Sequence, residues 1–168
     1  MTAAFHLAQV NIGLTRAPLD SAKLAGFVAA LEPINALTDA SPGFVWRLQT
    51  EDGDATAVRG FGDDRLIINM SVWESIEALA TFVYDGAYVA VMRQRRQWFQ
   101  LMREAFMVLW WVPVGHLPTV AEAEDRLAHL CANGPSPDAF TFKSPFPSGA
   151  RGAVPAVLRI PDLCGQRE

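Results

Sequence analysis

The chain of 168 residues has a net charge of −4, with 51% hydrophobic and 19% charged residues. This balance predicts one folded domain with a sizeable core and argues against disorder. It offers no basic surface for nucleic acid, and no apolar run is long enough to cross a bilayer. Because a secretory pattern and paired cysteine spacing are both lacking, we expect a cytoplasmic protein without a zinc or iron–sulfur site.

The first part of the sequence predicts two strands separated by a helix. Residues 5–14, FHLAQVNIGL, are expected to form the first strand. Asp20 is expected to cap a helix that runs to about Thr38, since apolar residues follow at helical spacing. The turn at residues 41–43 then leads into a second strand over residues 43–50.

The central part predicts a third strand, an interrupted helix and a fourth strand. Residues 65–73, RLIINMSVW, form the third strand. Ser75 is placed to cap the next helix, and Asp85 marks a kink or restart into a longer basic helix over residues 87–105. The apolar run AFMVLWWVP, residues 105–113, is the fourth strand.

This β-α-β-β-α-β order is the ferredoxin-like arrangement, in which helices lie on one face of an antiparallel sheet. Thr119 and Glu122 form a capping box that opens an added helix, which stops at Asn133. Residues 139–143 alternate like a short added strand. The domain is therefore expected to span residues 1–143, followed by a Pro/Gly-rich tail over residues 144–168.

Polar and apolar residues alternate along the predicted strands. Asn69 and Ser71 share parity with Trp73 on the third strand, whereas its other face is aliphatic. Gln9 and Asn11 are the polar pair of the first strand. A sheet with one face in water shows this pattern. Because these residues are amides and a hydroxyl rather than lysines or glutamates, a ligand cavity is a second reading, although interface or structural use is commoner.

The second strand continues the alternation. Phe44 and Trp46 would share one face, and Arg47 would lie on the other with its guanidinium available as a donor. The sequence leaves open whether the polar residues of all three strands share one face of the sheet.

Two tyrosines follow one another by a helical turn in the interrupted helix. Tyr84 and Tyr88 fall on its apolar stripe together with Met92, so both phenols should point toward the sheet. A buried tyrosine hydroxyl normally has a hydrogen-bond partner, and two core tyrosines are the commoner interpretation. The functional interpretation makes Tyr88 a proton donor, an acceptor or a metal ligand.

Further candidates come from the basic and histidine residues. His116 follows the fourth strand, where it is either a proton-transfer residue or a structural loop histidine. Arg93, Arg95 and Arg96 form a basic cluster that is typical of a solvated helix face, although one of them could reach an acidic ligand group.

The adjacent tryptophans make both faces of the fourth strand apolar. Trp110 and Trp111 leave opposite faces of a strand, so one needs a cover other than the helices of the ferredoxin-like unit. We expect a second subunit to supply that cover.

Long stretches of the chain resemble one family of bacterial proteins. They cover roughly residues 5–143 and include LAQVNIG, PLDSAKLAGFVAALEPINALTDASPGFVWRL, NMSVWES, RQRRQWF, VLWWVPVGH and AFTF. These stretches resemble the domain-of-unknown-function 3291 family, which is grouped with dimeric α+β barrel, or antibiotic-biosynthesis-monooxygenase-like, proteins. The resemblance implies a dimer in which the partner covers the sheet face away from the helices. It also implies small-molecule chemistry, as in cofactor-independent monooxygenases, haem enzymes and isomerases.

The resemblance also bears on single positions. Resembling proteins commonly carry a histidine where this chain has Tyr88, and a tyrosine, which titrates near ~10, does not take over that role automatically. Asn11 matches an amide of resembling haem-degrading enzymes. Phe82 and Met92 stand where those enzymes have a tryptophan and a histidine, so haem degradation of that type is disfavoured.

We therefore expect a small-molecule oxidoreductase that oxidises an aromatic or polycyclic substrate, without a cofactor or metal, in an apolar pocket between the sheet and the helices. The alternatives are a haem-binding or haem-dependent enzyme and a non-catalytic ligand-binding homodimer. The expected catalytic residues are Tyr88, His116, Asn69 and Asn11. The expected substrate-binding residues are Arg47, Trp73, Tyr84, Ser71, Met92 and Trp111.

Overall fold

A computed structural model describes residues 4–50, 53, 56, 60–62, 65–102 and 106–149. A short 3-10 turn, Ala22–Leu24, precedes the first helix. The elements in chain order are β1 (Phe5–Leu14), α1 (Ala25–Asp39), β2 (Phe44–Arg47), β3 (Leu66–Trp73), α2 (Ile76–Val83), α3 (Gly86–Met92), α4 (Arg95–Trp98), β4 (Met107–Pro113) and α5 (Val120–Asn133). None of the described helices is long and apolar enough to span a bilayer.

The four strands form one antiparallel sheet in the order β2-β3-β1-β4. The predicted ferredoxin-like fold is confirmed by this order together with α1 to α4. Val10 lies opposite Met70 and Val108, whereas Asn11 lies opposite Asn69 and Met107. Because successive residues leave opposite faces of a strand, this register builds two chemically different faces.

One face, here called the α5 face, is apolar apart from His6 near the start of β1. Aliphatic side chains of β1, β3 and β4 surround Trp110 on it, and α5 covers them with Ala123, Leu127 and Leu130. All of these side chains are buried. The strand residues of this face are Ala8, Val10, Ile12, Leu66, Ile68, Met70, Val72, Val108, Trp110 and Val112.

The other face, here called the cavity face, carries the polar residues. The register places Gln9 opposite Ser71 and Asn11 opposite Asn69. The structure therefore brings the polar residues of β1 and β3 onto one face, a point that the sequence left open. Helices α1 to α4 lie over this face, where the side chains of α2 pack against Trp73 and those around α4 pack against Ile67.

Strand β2 differs from the alternation that its sequence predicts. A bulge between Phe44 and Trp46 places Phe44 opposite Trp73 and Trp46 opposite Val72. The two aromatic rings therefore lie on opposite faces, and the prediction that they share one was wrong. An extra residue in one strand reverses the parity beyond it. Arg47 consequently lies opposite Ser71, on the cavity face.

Two helix boundaries also differ from the predictions. Asp20 does not cap the first helix: the helical turn begins at Ala22, and no side chain caps it. The long basic helix predicted over residues 87–105 ends at Met92 and is followed by the single turn α4. Phe99 then has an extended backbone, and Gln100 donates its backbone N–H to the Leu14 carbonyl. Pairing with the end of β1 thus overrides helical propensity.

The predicted capping residues lie at the starts of their helices. The side chains of Ser75, Asp85 and Thr119 accept backbone hydrogen bonds at the starts of α2, α3 and α5. The short strand predicted over residues 139–143 is reduced to a bridge, in which Phe140 exchanges both backbone hydrogen bonds with Leu109.

Both tryptophans of β4 are covered by their own chain. Trp110 is fully buried beneath α5, and its indole donates to Glu122 Oε1 at 3.0 Å. Trp111 lies on the cavity face, packs against Phe140 and donates to the Phe146 carbonyl at 2.8 Å. The cover that we expected from a second subunit is thus supplied for Trp110 by α5, whereas Trp111 is half-buried against residues 139–146 and a partner at this position stays a prediction. Phe146, in the predicted tail, is buried, and residues 150–168 lie outside the described residues.

Candidate functional site

A cavity of about 120 Å³ lies between the cavity face and helices α1, α3 and α4. Side chains of α1 and α3, including Leu31 and Met92, form its apolar walls together with the rings of Trp98 and Phe99. The polar residues at its boundary are few, and Asn11 and Asn69 come from paired positions of β1 and β3. An apolar enclosure with a few convergent polar groups is typical of a small-molecule site.

The two asparagines are tied together by Gln9, which is buried between them. Gln9 Nε2 donates to Asn69 Oδ1 at 3.1 Å, and Asn11 Nδ2 donates to Gln9 Oε1 at 3.3 Å. Among the described residues, the Nδ2 group of Asn69 has no acceptor and the Oδ1 atom of Asn11 has no donor. The network therefore orients both amides and leaves one donor group and one acceptor for a ligand.

Ser71 and Trp73 continue the same network away from the cavity. Ser71 Oγ accepts from Gln9 Nε2 and from the Trp73 indole, each at 2.8 Å. Both residues line a smaller void of about 30 Å³, whose boundary shares Asn11 and Asn69 with the main cavity. They therefore lie behind the asparagines and fix their orientation. Gln9, which sequence analysis did not select as a site residue, is the centre of this network, and its parity with Asn11 was the available signal.

The predicted helix residues divide between the cavity and the core. Tyr88 lines both the cavity and the smaller void, and its ring packs against Phe82 with centroids 4.7 Å apart. Met92 lines the cavity one turn later. Tyr84 lines neither space and occupies the carboxyl-terminal cap of α2. The break after Val83 separates the two tyrosines that a continuous helix would have placed on one stripe.

Arg47 lines the cavity, but its donors are already engaged. Its Nε and Nη2 atoms donate to the two carboxylate oxygens of Asp39 at 2.7 and 3.2 Å, and Nη1 donates to the Gly53 carbonyl at 2.7 Å. This paired fork ties β2 to the end of α1. Its place in the structure is therefore that of a wall residue held by the protein itself.

His116 and Trp111 lie outside the cavity. His116 Nε2 contacts Glu122 Oε2 at 2.7 Å on the exposed side of α5. Burial raises the pKa of the Glu122 carboxyl, but the hydrogen bonds from His116 and Trp110 outweigh it, so the pKa lies below its ordinary value. These contacts join the loop after β4 to α5.

Other features of the described residues lie apart from this cavity. A more open concavity of about 550 Å³ lies beside Pro18 and Gln100, and it contains none of the predicted site residues. Within the described part of the chain, no group of three or more His, Cys, Asp or Glu side chains could hold a metal ion. Cys131 is an exposed free thiol, and Cys164 lies outside the described residues.

Solved structures with a similar chain path are oxygenase-like proteins. SnoaB, a cofactor-independent oxygenase from Streptomyces nogalater, is 17% identical over 69% of this chain and 100% of its own, with a TM-score of 0.47. A putative antibiotic biosynthesis monooxygenase from Chloroflexus aurantiacus is 12% identical over 68% of this chain and 98% of its own, with a TM-score of 0.42. Another from Nitrosomonas europaea is 13% identical over 70% of this chain and 94% of its own, also with a TM-score of 0.42. A shared chain path does not assign chemistry.

No curated protein matches the chain, but a family model does. A family model described as "Domain of unknown function (DUF3291)" matches residues 6–154, which is most of the chain and includes every residue of the cavity and its network. The resemblance that the sequence predicts is thereby confirmed, and the protein belongs to the DUF3291 family.

Proposed function

We propose that this protein is a small-molecule oxidoreductase that binds an aromatic substrate in the cavity and oxidises it with molecular oxygen. The observation that carries the proposal is the pairing of apolar walls with two asparagines oriented by the buried Gln9. Apolar walls beside an oriented donor make its contact with a developing charge stronger than the same contact in bulk water.

The proposed chemistry needs no bound cofactor because the substrate supplies the electrons. In a dihydroxybenzene, loss of a phenolic proton gives a resonance-stabilised anion that reduces O₂ at a ring C–H carbon. The net reaction is C₆H₆O₂ + O₂ → C₆H₄O₃ + H₂O, in which one oxygen atom enters the ring to give a hydroxyquinone and the other leaves as water. The Nδ2 group of Asn69 would donate to the substrate oxyanion, and the Tyr88 hydroxyl would exchange a proton with the substrate.

The cavity volume limits the size of the substrate. An engineered cavity of roughly 150 Å³ binds benzene, and the cavity here has about 120 Å³. We therefore propose a single-ring substrate, since a polycyclic one would extend beyond this volume. A porphyrin contains four pyrrole rings, so the haem alternative is disfavoured on size. Non-catalytic ligand binding would use the same cavity and is separated from catalysis by turnover.

The first experiment measures oxygen consumption with single-ring dihydroxybenzenes in the presence of a metal chelator. We expect turnover by the wild type, and a loss of about 10²-fold in kcat for Asn69→Ala, as for the loss of one oxyanion donor. Gln97→Ala, which removes an exposed amide on α4, serves as the control. Ligand binding without oxygen consumption would refute catalysis, and a Soret band in the purified protein would support haem.

Tyr88→Phe tests the proton-transfer role. The substitution keeps the ring that packs on Phe82 and removes only the hydroxyl. We expect the free energy of unfolding to fall by about 1 kcal/mol, the net value of one hydrogen bond, and turnover to fall by more than the equivalent factor of about five. Equal losses in stability and turnover would make Tyr88 a core residue.

The homodimer implied by the family resemblance stays a prediction. In this chain α5 covers the sheet face on which a partner would close a barrel, so a dimer must use another surface or displace α5. Light scattering at micromolar concentration tests the prediction, and a monomer would contradict it.

A further inference from the structure

The geometry points to Arg95 as an anion-binding residue of the cavity, which makes the ligand a single-ring aromatic carboxylate or phenolate. The inference rests on the proposed binding role of the cavity but not on the proposed oxidation. It assigns the charge of the ligand, which the apolar walls and the asparagines leave undetermined.

Arg95 is the first residue of α4, and its side chain turns inward rather than into solvent. Its Nη2 group donates to the Ile12 carbonyl at 3.3 Å. The Ile12 N–H donates to the Phe106 carbonyl on the same side of β1. Arg95 therefore bonds the Ile12 carbonyl next to the point where β4 begins. The side chain is half-buried and lines the cavity.

Two aromatic rings hold the guanidinium in this position. Its central carbon lies 5.2 Å from the centroid of Phe99 and 5.0 Å from that of Phe106. Such cation–π contacts occupy the faces of the guanidinium plane and leave its edges for hydrogen bonds. Phe99 is itself placed by Gly13, because a Cβ atom at that position would lie 2.6 Å from the ring.

The charged residues in the described lining of the cavity are all basic. Its described lining contains two arginines and no aspartate or glutamate. Arg47 is neutralised by Asp39, but Arg95 forms no ion pair with any described residue. A half-buried cation that has no counter-ion among the described residues would be stabilised by a ligand anion. The local charge is notable in a chain whose net charge is −4.

The chemistry of the ligand follows from these contacts. The Nε and Nη1 groups of Arg95 have no acceptor among the described residues, and Nη2 uses only one of its two N–H groups for the Ile12 carbonyl. The second N–H of Nη2, together with its neighbour Nε or Nη1, therefore leaves one edge with two adjacent donors, which match a carboxylate or an ionised hydroxyl. The ring of such a ligand would occupy the apolar walls beside Trp98. The same charge would favour the ionised form of a phenolic substrate.

Titration calorimetry with benzoate and its neutral analogue benzamide at pH 7 tests the inference. We expect the wild type to bind benzoate at least about tenfold more tightly, the value of one charge-assisted hydrogen bond. Arg95→Gln should abolish this preference and leave benzamide affinity unchanged, whereas Arg95→Lys should restore part of it. Arg93→Gln, an exposed arginine just before α4, is the matched control and should change neither affinity.

The outcomes separate the inference from the proposed function. If the wild type binds both probes equally, or if Arg95→Gln keeps the benzoate preference, the role of Arg95 is refuted while the aromatic cavity stands. If neither probe binds the wild type, both the cavity and the role of Arg95 are refuted. If Arg95→Gln loses the benzoate preference and the wild type consumes no oxygen with dihydroxybenzenes, the role of Arg95 is supported and the proposed oxidation is refuted.

Discussion

The two faces of the sheet are formed by the same four strands but carry different side chains. On the α5 face, aliphatic residues and Trp110 pack beneath α5, and His6 adds a half-buried polar side chain near one end of β1. On the cavity face, Gln9, Asn11, Asn69 and Ser71 bond to one another beside an open cavity. The comparison shows that the polar groups of the cavity face are bonded to one another within the protein. Buried apolar clusters stabilise both faces, but only the cavity face combines them with a polar network among the described strand residues.

The largest expected effect lies on the α5 face. Leu127→Ala should lower the free energy of unfolding by about 2 to 5 kcal/mol, because it leaves a cavity in a close-packed core. Leu31→Ala, on the half-buried wall of the cavity, should cost less because the space beside it is already open. Urea denaturation measures both. Equal costs would contradict the division between a packing face and a binding face.

The polar network of the cavity face should have the next largest effect. Ser71→Ala removes the acceptor shared by Gln9 and Trp73 and leaves two buried donors without a partner. We expect a loss of about 2 to 3 kcal/mol in the free energy of unfolding. Ser148→Ala, on an exposed serine, is the control. If thermal unfolding shows the two variants to be equally stable, the network contributes nothing to the fold.

Substitution of Gly13 tests the close contact between β1 and Phe99. Gly13→Ala should cost about 1 to 3 kcal/mol, since the new methyl group would overlap the ring and displace a cavity wall. Gly86→Ala is the matched control: a Cβ atom there meets nothing within 4 Å, so α3 should be unchanged or more stable by up to about 1 kcal/mol. A crystal structure of Gly13→Ala with Phe99 unmoved would contradict the expectation.

The smallest expected effect is the pH dependence of the α5 face. The pKa of Glu122 is lower in the folded chain than its ordinary value, so its contribution is present above that value and is lost as pH falls through the folded pKa. The stability difference between wild type and Glu122→Gln should be about 0.5 kcal/mol near pH 6 and should shrink below pH ~4. A difference that is constant down to pH 3 would show that ionisation of Glu122 does not matter.

Much of the fold and part of the site could be predicted from local signals. Strand β1 was predicted with its observed ends, and Ser75, Asp85 and Thr119 cap helices as expected. The parity of Asn11 and Asn69 selected two of the amides that line the cavity, whereas Asn35 was not selected. His116 and Tyr84 were chosen by residue type and proximity to an element end, and neither reaches the cavity. Residue type identifies possible chemistry, but distance decides which residues meet.

By itself, the sequence determined the ferredoxin-like order of elements, the alternation of the strands and the family to which the protein belongs. These properties depend on periodicity and capping, which act over a few residues. Only the tertiary structure decided that α5 covers Trp110, that the bulge in β2 turns Phe44 and Trp46 to opposite faces, and that Arg95 lies between two aromatic rings beside the cavity. Those outcomes depend on contacts between residues far apart in the chain, because burial and hydrogen bonding are settled only when the elements pack together.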